Sequence, residues 1–297
     1  MSAPDQIATG PVDASQTIPG HAKLALTGIG KVFGRPGSME HMEVLKGINL
    51  TIAEGEFVSI VGPSGCGKST ILKMISGLTL PSCGSIRLDG HLLQGTPKGV
   101  GFMFQGDALL PWATVAENIL VGIELGQCPR EQRAARLTEL IELVGLEKFA
   151  DFYPAALSGG MRQRVSLART IAYEPSIFLM DEPFGALDAQ TKIILGREFL
   201  RIWSLYRRTV LFVTHDIGEA ITLSDRIVVM SPRPGGIVAE FEVAIPRPRD
   251  FVKVHGSERF ASLYADVWNA LTLGEESPEL QRTQAQPTPI HHVRRDS

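Results

Sequence analysis

Val61-Gly62-Pro63-Ser64-Gly65-Cys66-Gly67-Lys68-Ser69-Thr70 lies between a strand-like run at residues 56–61 and a helix-like run at residues 70–78. The order is strand, glycine-rich turn, helix, and the turn fits G-x-x-x-x-G-K-[ST] in the context that this pattern requires. Gly62 and Gly67 let the backbone curl so that its N–H groups converge on one anion, with Pro63, Ser64, Gly65 and Cys66 forming the curl between them. The helix N-terminus adds its partial positive charge at the same point. Lys68 is placed to reach the β- and γ-phosphates of a nucleotide, Ser69 to offer its hydroxyl to Mg²⁺, and Thr70 to donate to the nearer phosphate. A chance glycine-rich turn would not be expected to match in strand, spacing and helix together.

A phosphate cradle of this kind needs an acid for the metal and a base for water. Ile177-Phe178-Leu179-Met180-Asp181-Glu182 offers both where a buried strand runs out. Asp181 would orient the Mg²⁺ shell and Glu182 would polarise the attacking water. Leu157-Ser158-Gly159-Gly160-Met161-Arg162-Gln163 is a second anion-binding device, a serine N-cap and two glycines opening a helix.

Composition bounds the partners. The chain has 297 residues, 44% hydrophobic and 21% charged, with a net charge of −3. That suits a large α/β domain with a subdomain and gives no basic field to gather nucleic acid. Its three cysteines, Cys66, Cys83 and Cys128, lack metal-ligand spacing and suit a reducing compartment. No run approaches the roughly 18 apolar residues of a membrane span, and residues 1–21 lack the pattern of a signal peptide. The reading is a chain kept in the cytoplasm, with other chains supplying any membrane crossing.

Along the chain, residues 1–22 read as disordered, and strands are expected at 24–33, 45–52 and 56–61, with further short strands at 85–88 and 100–105. Residues 106–164 form a helical subdomain, with helices at 114–119 and 130–144. Buried strands at 176–181 and 209–214 alternate with helices at 160–173 and 189–206, and short strands at 226–230 and 237–243 complete a compact part spanning 23–247. A C-terminal helical extension, 248–274, carries Phe260, Leu263, Tyr264, Val267 and Leu271 behind a Ser257 N-cap. Residues 275–297 are polar and read as a disordered tail.

With Gln105 after its strand, Ala186-Leu187-Asp188 after the acids, and Thr214-His215-Asp216 after the next strand, the chain resembles the nucleotide-binding subunit of ATP-binding-cassette (ABC) transporters over residues 24–245. The resemblance implies a P-loop NTPase three-layer α/β core with an N-terminal antiparallel β patch and a helical subdomain, and an ATPase using ATP and Mg²⁺. It also implies roles. Phe33 would stack on adenine, Gln105 would contact metal and water, and His215 would hold the γ-phosphate and position Glu182. Ser158, Gly159 and Gly160 would face the nucleotide of a second copy paired head to tail, with Asp188 lining that interface. Each residue also has a plain structural reading: Phe33 as a core aromatic, although strand alternation sets it on the face opposite Leu24, Leu26 and Val32, Gln105 as an internal hydrogen-bonding group, His215 as a satisfied strand-end histidine, Ser158 and Asp188 as helix caps.

Leu109-Leu110-Pro111-Trp112-Ala113-Thr114-Val115 and Met230-Ser231-Pro232-Arg233-Pro234-Gly235 look like the importers of nitrate, taurine and aliphatic sulfonates. That kinship implies a bacterial importer of a small anion, peripheral on the cytoplasmic face of the inner membrane, with integral membrane permease subunits and a solute-binding protein as partners. Leu109, Leu110 and Trp112 fit either core or a surface that receives a permease helix. Residues 231–235 read as a turn shaped by its prolines, with Arg233 in solvent. An exporter ATPase and a soluble cassette acting on ribosomes or DNA are the alternatives; the second is disfavoured by the single cassette and the lack of a basic face. Cys66, in a phosphate cradle at a helix N-terminus, is expected to be partly activated towards its thiolate.

Overall fold

In the computed structural model, residues 22–34, 41–185 and 187–275 are described. The ends expected to be disordered fall outside those residues, as does Ala186, except that Ala22 opens the first strand and Glu275 closes the last helix.

Two sheets share one helix. Strands β1 (Ala22–Phe33), β2 (Met42–Ala53), β4 (Cys83–Leu88) and β5 (His91–Leu92) form an antiparallel sheet in the order β2-β1-β4-β5. The second sheet has the order β10-β9-β3-β8-β7-β6, from β3 (Phe57–Val61), β6 (Val100–Met103), β7 (Ile177–Asp181), β8 (Thr209–Val213), β9 (Arg226–Met230) and β10 (Ile237–Glu242). All its pairings are parallel except β10 on β9. β3, β7 and β8 are buried along their whole length, which is why they appear in the sequence as unbroken apolar runs rather than alternating ones.

Helix α1 (Lys68–Ile75) lies between the sheets, packing Ile71, Leu72 and Ile75 with Leu24, Ile48 and Leu50 on one side and Ile60, Leu179 and Leu211 on the other. The opposite face of the parallel sheet is covered by α5 (Ala189–Tyr206), where Phe57 meets Phe199, Trp203 and Phe212. The same apolar cluster continues into α2 (Val115–Leu125), α3 (Arg133–Leu143) and α4 (Gly159–Ala172). A third cluster seats α6 (Ile217–Leu223), α7 (Phe251–His255) and α8 (Glu258–Glu275) on β9 and β10. The result is the three-layer P-loop α/β core that the cradle implied, with its antiparallel patch and its helical region.

Several boundaries moved for physical reasons. α1 begins at Lys68, not Thr70, and stops at Ile75 because Gly77 turns at φ +75° against the Gly95 carbonyl. Residues 130–144 break into a single 3₁₀ turn at Arg130–Gln132 and then α3. α7 was not anticipated; it is one short turn capped by Asp250, whose carboxylate accepts from the N–H groups of Val252 and Lys253. At α8 the Ser257 hydroxyl accepts from Phe260 N–H at 3.2 Å as expected, and Phe260, Leu263 and Val267 are buried, whereas Tyr264 is exposed.

Candidate active site

The cradle is a curl that only small residues can follow. Gly65 and Gly67 have φ of +77° and +106°, and a Cβ on Gly67 would lie 2.5 Å from Leu45 Cδ2. The Lys68 ammonium is buried and donates to the carbonyls of Gly62 at 2.7 Å and Pro63 at 3.0 Å, which holds its charge inside the curl. Ser69 Oγ donates to Asp181 Oδ1 at 2.8 Å, joining the start of α1 to the end of β7. Burial pushes the Asp181 carboxyl above its usual range, with the Ser69 hydrogen bond and the nearby Lys73 and Lys68 acting against the shift and Glu182 adding to it.

Glu182 follows in the left-handed conformation, φ +45°, its N–H held by the Val213 carbonyl at 2.9 Å. Such a backbone costs about 1 kcal/mol or more in a non-glycine residue, and it turns the carboxylate out of the sheet. His215, just past β8, places Nδ1 2.9 Å from Glu182 Oε2. The neighbouring Thr214 hydroxyl donates to Glu219 at 2.7 Å, and Asp216 caps α6, so the histidine rides on an anchored turn.

A cavity of about 420 Å³ opens over this assembly. Ser64, Gly65, Gly67, Lys68, Ser69 and Thr70 form its floor, Gln105 and Glu182 one wall, and Phe33 another. Phe33 is 42% exposed and carries the Lys31 ammonium 4.8 Å from its ring centroid. Its exposure does not follow from strand parity, because β1 shifts register between Leu26 and Ile29, where Gly28 sits at φ +58°. A hollow of similar size, about 450 Å³, lies between β6, α2 and α4, but its lining is mostly apolar and Arg169 is its one charged side chain. The chemistry is at the cradle.

The polar groups that line that cavity, and the Asp181 and His215 hydrogen-bonded to them, stand at the carboxyl ends of parallel strands: the cradle after β3, Gln105 after β6, Asp181 and Glu182 at β7, His215 after β8 and Arg233 after β9. Ser69 and Asp181 offer a hydroxyl and a carboxylate side by side, an oxygen donor set that suits Mg²⁺. Among the described residues there is no group of three or more His, Cys, Asp or Glu that could hold a metal, so beyond Ser69, Asp181 and Gln105 the ion's ligands would be phosphate oxygens and water.

Ser158, Gly159, Gly160 and Asp188 do not join this cavity; they form a second cluster. Ser158 Oγ caps α4, accepting from Met161 N–H at 3.3 Å. Asp188 caps α5, and hydrogen bonds from the Thr191 hydroxyl (2.6 Å) and N–H (3.0 Å) hold its carboxyl below the usual range. A Cβ on Gly160 would lie 2.7 Å from Thr191 Cγ2, and one on Gly159 3.5 Å from Leu187 Cδ2, so the two helix starts are packed together.

Two residues depart from the sequence reading. Cys66 is 1% exposed, and burial pushes its thiol up despite the opposing influence of Lys68 and the loop amides. Burial thus works against the expected activation and shields the sulfur from solvent. Arg233 is not merely in solvent: Nε and Nη2 donate to the Gly65 carbonyl at 3.2 and 2.9 Å, and the side chain lines the cavity beside Met42. The signal was available, since a loop following β9 must lie next to the cradle once β9 is recognised as the parallel neighbour of β3.

Comparison with known proteins gives the same picture. The family model described as ABC transporter matches residues 45–185. A Methanocaldococcus jannaschii protein, described as an uncharacterized ABC transporter ATP-binding protein, is 47% identical over 228 residues, 77% of this chain and 85% of its own length. The nitrate import ATP-binding protein of Synechocystis sp. is 39% identical over 264 residues, 87% of this chain and 98% of that protein. Among solved structures, the dimeric post-hydrolysis state of an ATP-binding cassette bound to ADP and Pi aligns with a TM-score of 0.66 at 33% identity, covering 75% of this chain and all of that one.

Proposed function

The chain belongs to the ABC transporter family of ATP-binding proteins, and is an ATPase of that family, and on this premise we propose that it powers a bacterial importer of a small anion from the cytoplasmic face of the inner membrane. Lys68 and the N–H groups of the cradle hold the β- and γ-phosphates, and Thr70 the nearer one. Ser69 and Asp181 would hold Mg²⁺, and Gln105 would contact the ion and water. The ion, when bound, withdraws charge from the phosphate oxygens. Phe33 offers a ring face to the adenine.

Glu182 is the general base. Its carboxylate takes the proton of the attacking water, and His215, hydrogen-bonded to Oε2 at 2.9 Å, keeps that carboxylate aimed and contacts the γ-phosphate. The observation that carries the reading is this one juxtaposition. Cradle, metal acid, base and histidine converge at the carboxyl ends of three adjacent parallel strands, β3, β8 and β7, around the cavity that the cradle and Glu182 line.

The site is completed by a second copy. Ser158, Gly159, Gly160 and Asp188 stand apart from the cavity, so in a head-to-tail pair they would close over the partner's γ-phosphate; the solved relative that aligns with this chain is dimeric. Binding of two ATP draws the copies together and hydrolysis lets them part.

Support for import comes from the nitrate import relative, matched over nearly its full length. Nitrate, taurine, sulfonates or a related small anion is the proposed solute. Among the described residues no helix is long and apolar enough to cross a membrane, so the permease supplies the crossing and a solute-binding protein the solute. Leu109, Leu110 and Trp112, the last 74% exposed, give the permease an apolar landing next to Gln105. The test is reconstitution with the permease and a screen of binding proteins and anions for stimulated ATP hydrolysis. Stimulation by a loaded binding protein is expected; stimulation by ribosomes or DNA instead would overturn the assignment.

A further inference from the structure

The segment after β9 is built as a strap across the back of the cradle. Gly235 donates to the Val44 carbonyl at 2.9 Å and accepts from Lys46 N–H at 3.0 Å, which ties the strap to β2. A Cβ on Gly235 would lie 2.0 Å from the Cys66 carbonyl oxygen, so strap and cradle are in backbone contact. From this fixed base Arg233 reaches over the loop to Gly65 and into the cavity.

Arg233 has more donors than those contacts use. Of its five N–H groups, Nε and one on Nη2 go to Gly65, and Nη1 turns one towards the Met42 sulfur, leaving one on each terminal nitrogen. Gly65 itself belongs to the curl whose amides face the phosphates. Among the described residues no carboxylate lies within ion-pair distance of the Arg233 guanidinium, whereas Arg162 and Arg247 each have one and Arg226 has two. A cation held by a backbone carbonyl at the rim of an anion cradle is placed for an anionic ligand.

We propose that Arg233 is a nucleotide-binding residue of this ATPase, its guanidinium contributing charge and donors to the polyphosphate chain while fixing the Gly65 turn. The proposal rests on ATP occupying the cradle, and its test separates the two.

Equilibrium binding of ATP, ADP and adenosine to the full chain, followed with a fluorescent analogue by competition, is the measurement. Arg233→Gln should raise the Kd for ATP about tenfold, that for ADP less, and that for adenosine not at all, the size expected for a charge-assisted hydrogen bond at a partly exposed site. Arg233→Lys should keep binding within about threefold, because it restores the charge. In steady state, KM should rise with kcat held within about twofold, which a collapsed cradle would not give. Arg233 is exposed, so the variants should fold, and Arg233→Met serves if the glutamine variant does not. ATP affinity unchanged in Arg233→Gln, an equal loss in Arg233→Lys, or an equal loss for adenosine would each overturn the proposal. Failure of the wild-type chain to bind ATP, or binding indifferent to Lys68→Ala, would instead overturn the underlying assignment of the cradle.

Discussion

Replacing Ser158 by aspartate separates its structural job from the catalytic one. The Ser158 hydroxyl accepts the Met161 N–H at 3.3 Å, the long end of the range, so losing it in Ser158→Ala should cost about 0.5–1 kcal/mol of stability. For a chain of this size that is a melting shift of about 1–4 °C. Aspartate caps a helix about as well as serine, so Ser158→Asp should lie within about 0.5 kcal/mol of wild type. If the same hydroxyl also donates to a partner's γ-phosphate, turnover should fall by about 10²–10³ in either variant, and further in the aspartate because a carboxylate then faces a phosphate. The two scales differ by several kcal/mol, so lost stability cannot pass for lost catalysis. Mixing inactive Ser158→Asp chains with inactive Glu182→Gln chains then decides ownership. In a head-to-tail pair one of the two sites receives an intact cradle from one chain and an intact Ser158 loop from the other. Random mixing makes about half of the dimers heterodimers, so about a quarter of the wild-type rate should return. ATPase assays across mixing ratios measure this, and no recovery at any ratio, with both variants folded, would refute the shared site.

Glu182→Gln alone should lower kcat by about 10²-fold or more with ATP affinity unchanged, read by single-turnover hydrolysis and equilibrium binding. Because burial raises the Cys66 thiol, its reactive thiolate forms only above the usual thiol range; at pH 7.5 a maleimide should label exposed Cys83 and leave Cys66 unmodified until the chain is unfolded, as peptide mass spectrometry will show. Gly235→Ala must move a backbone now 2.0 Å from its new methyl group and should lose about 1–3 kcal/mol in denaturant unfolding, with weaker ATP binding.

The site was legible where chemistry and strand ends coincide. The 56–61 and 176–181 runs are unbroken apolar stretches that stop at Gly62 and at Asp181, and such a stop marks the carboxyl end of a buried parallel strand, where ligands bind. What stayed hidden depends on relations between strands. Cys66 is covered by the cradle's own Gly62 turn and by the apolar cluster that Met230 joins from β9, a neighbour that the local motif does not reveal. The bulges of β1 are similar: Gly28 resets the alternation, so counting from Leu24 cannot place Phe33, although the ring does face the cavity. Helix ends erred where a tertiary neighbour set them, as at Gly77, pressed against the Gly95 backbone.

The two halves of the proposed site make unequal demands on the fold. The cradle half buries an ammonium and a carboxylate and holds Glu182 in a left-handed backbone, all costs that must be offset inside one chain. Ser158 and Asp188 ask for nothing unusual, since as N-caps of α4 and α5 they stabilise the lone chain in the positions that a partner would use. On the proposed assignment, a single copy is preorganised to bind nucleotide but lacks the donors that would stabilise the transition state. Because ATP that draws two copies together must be bound more tightly by the pair, ATP affinity and specific activity should both rise with protein concentration, and membrane subunits that hold two copies apart or together would thereby govern when ATP is hydrolysed.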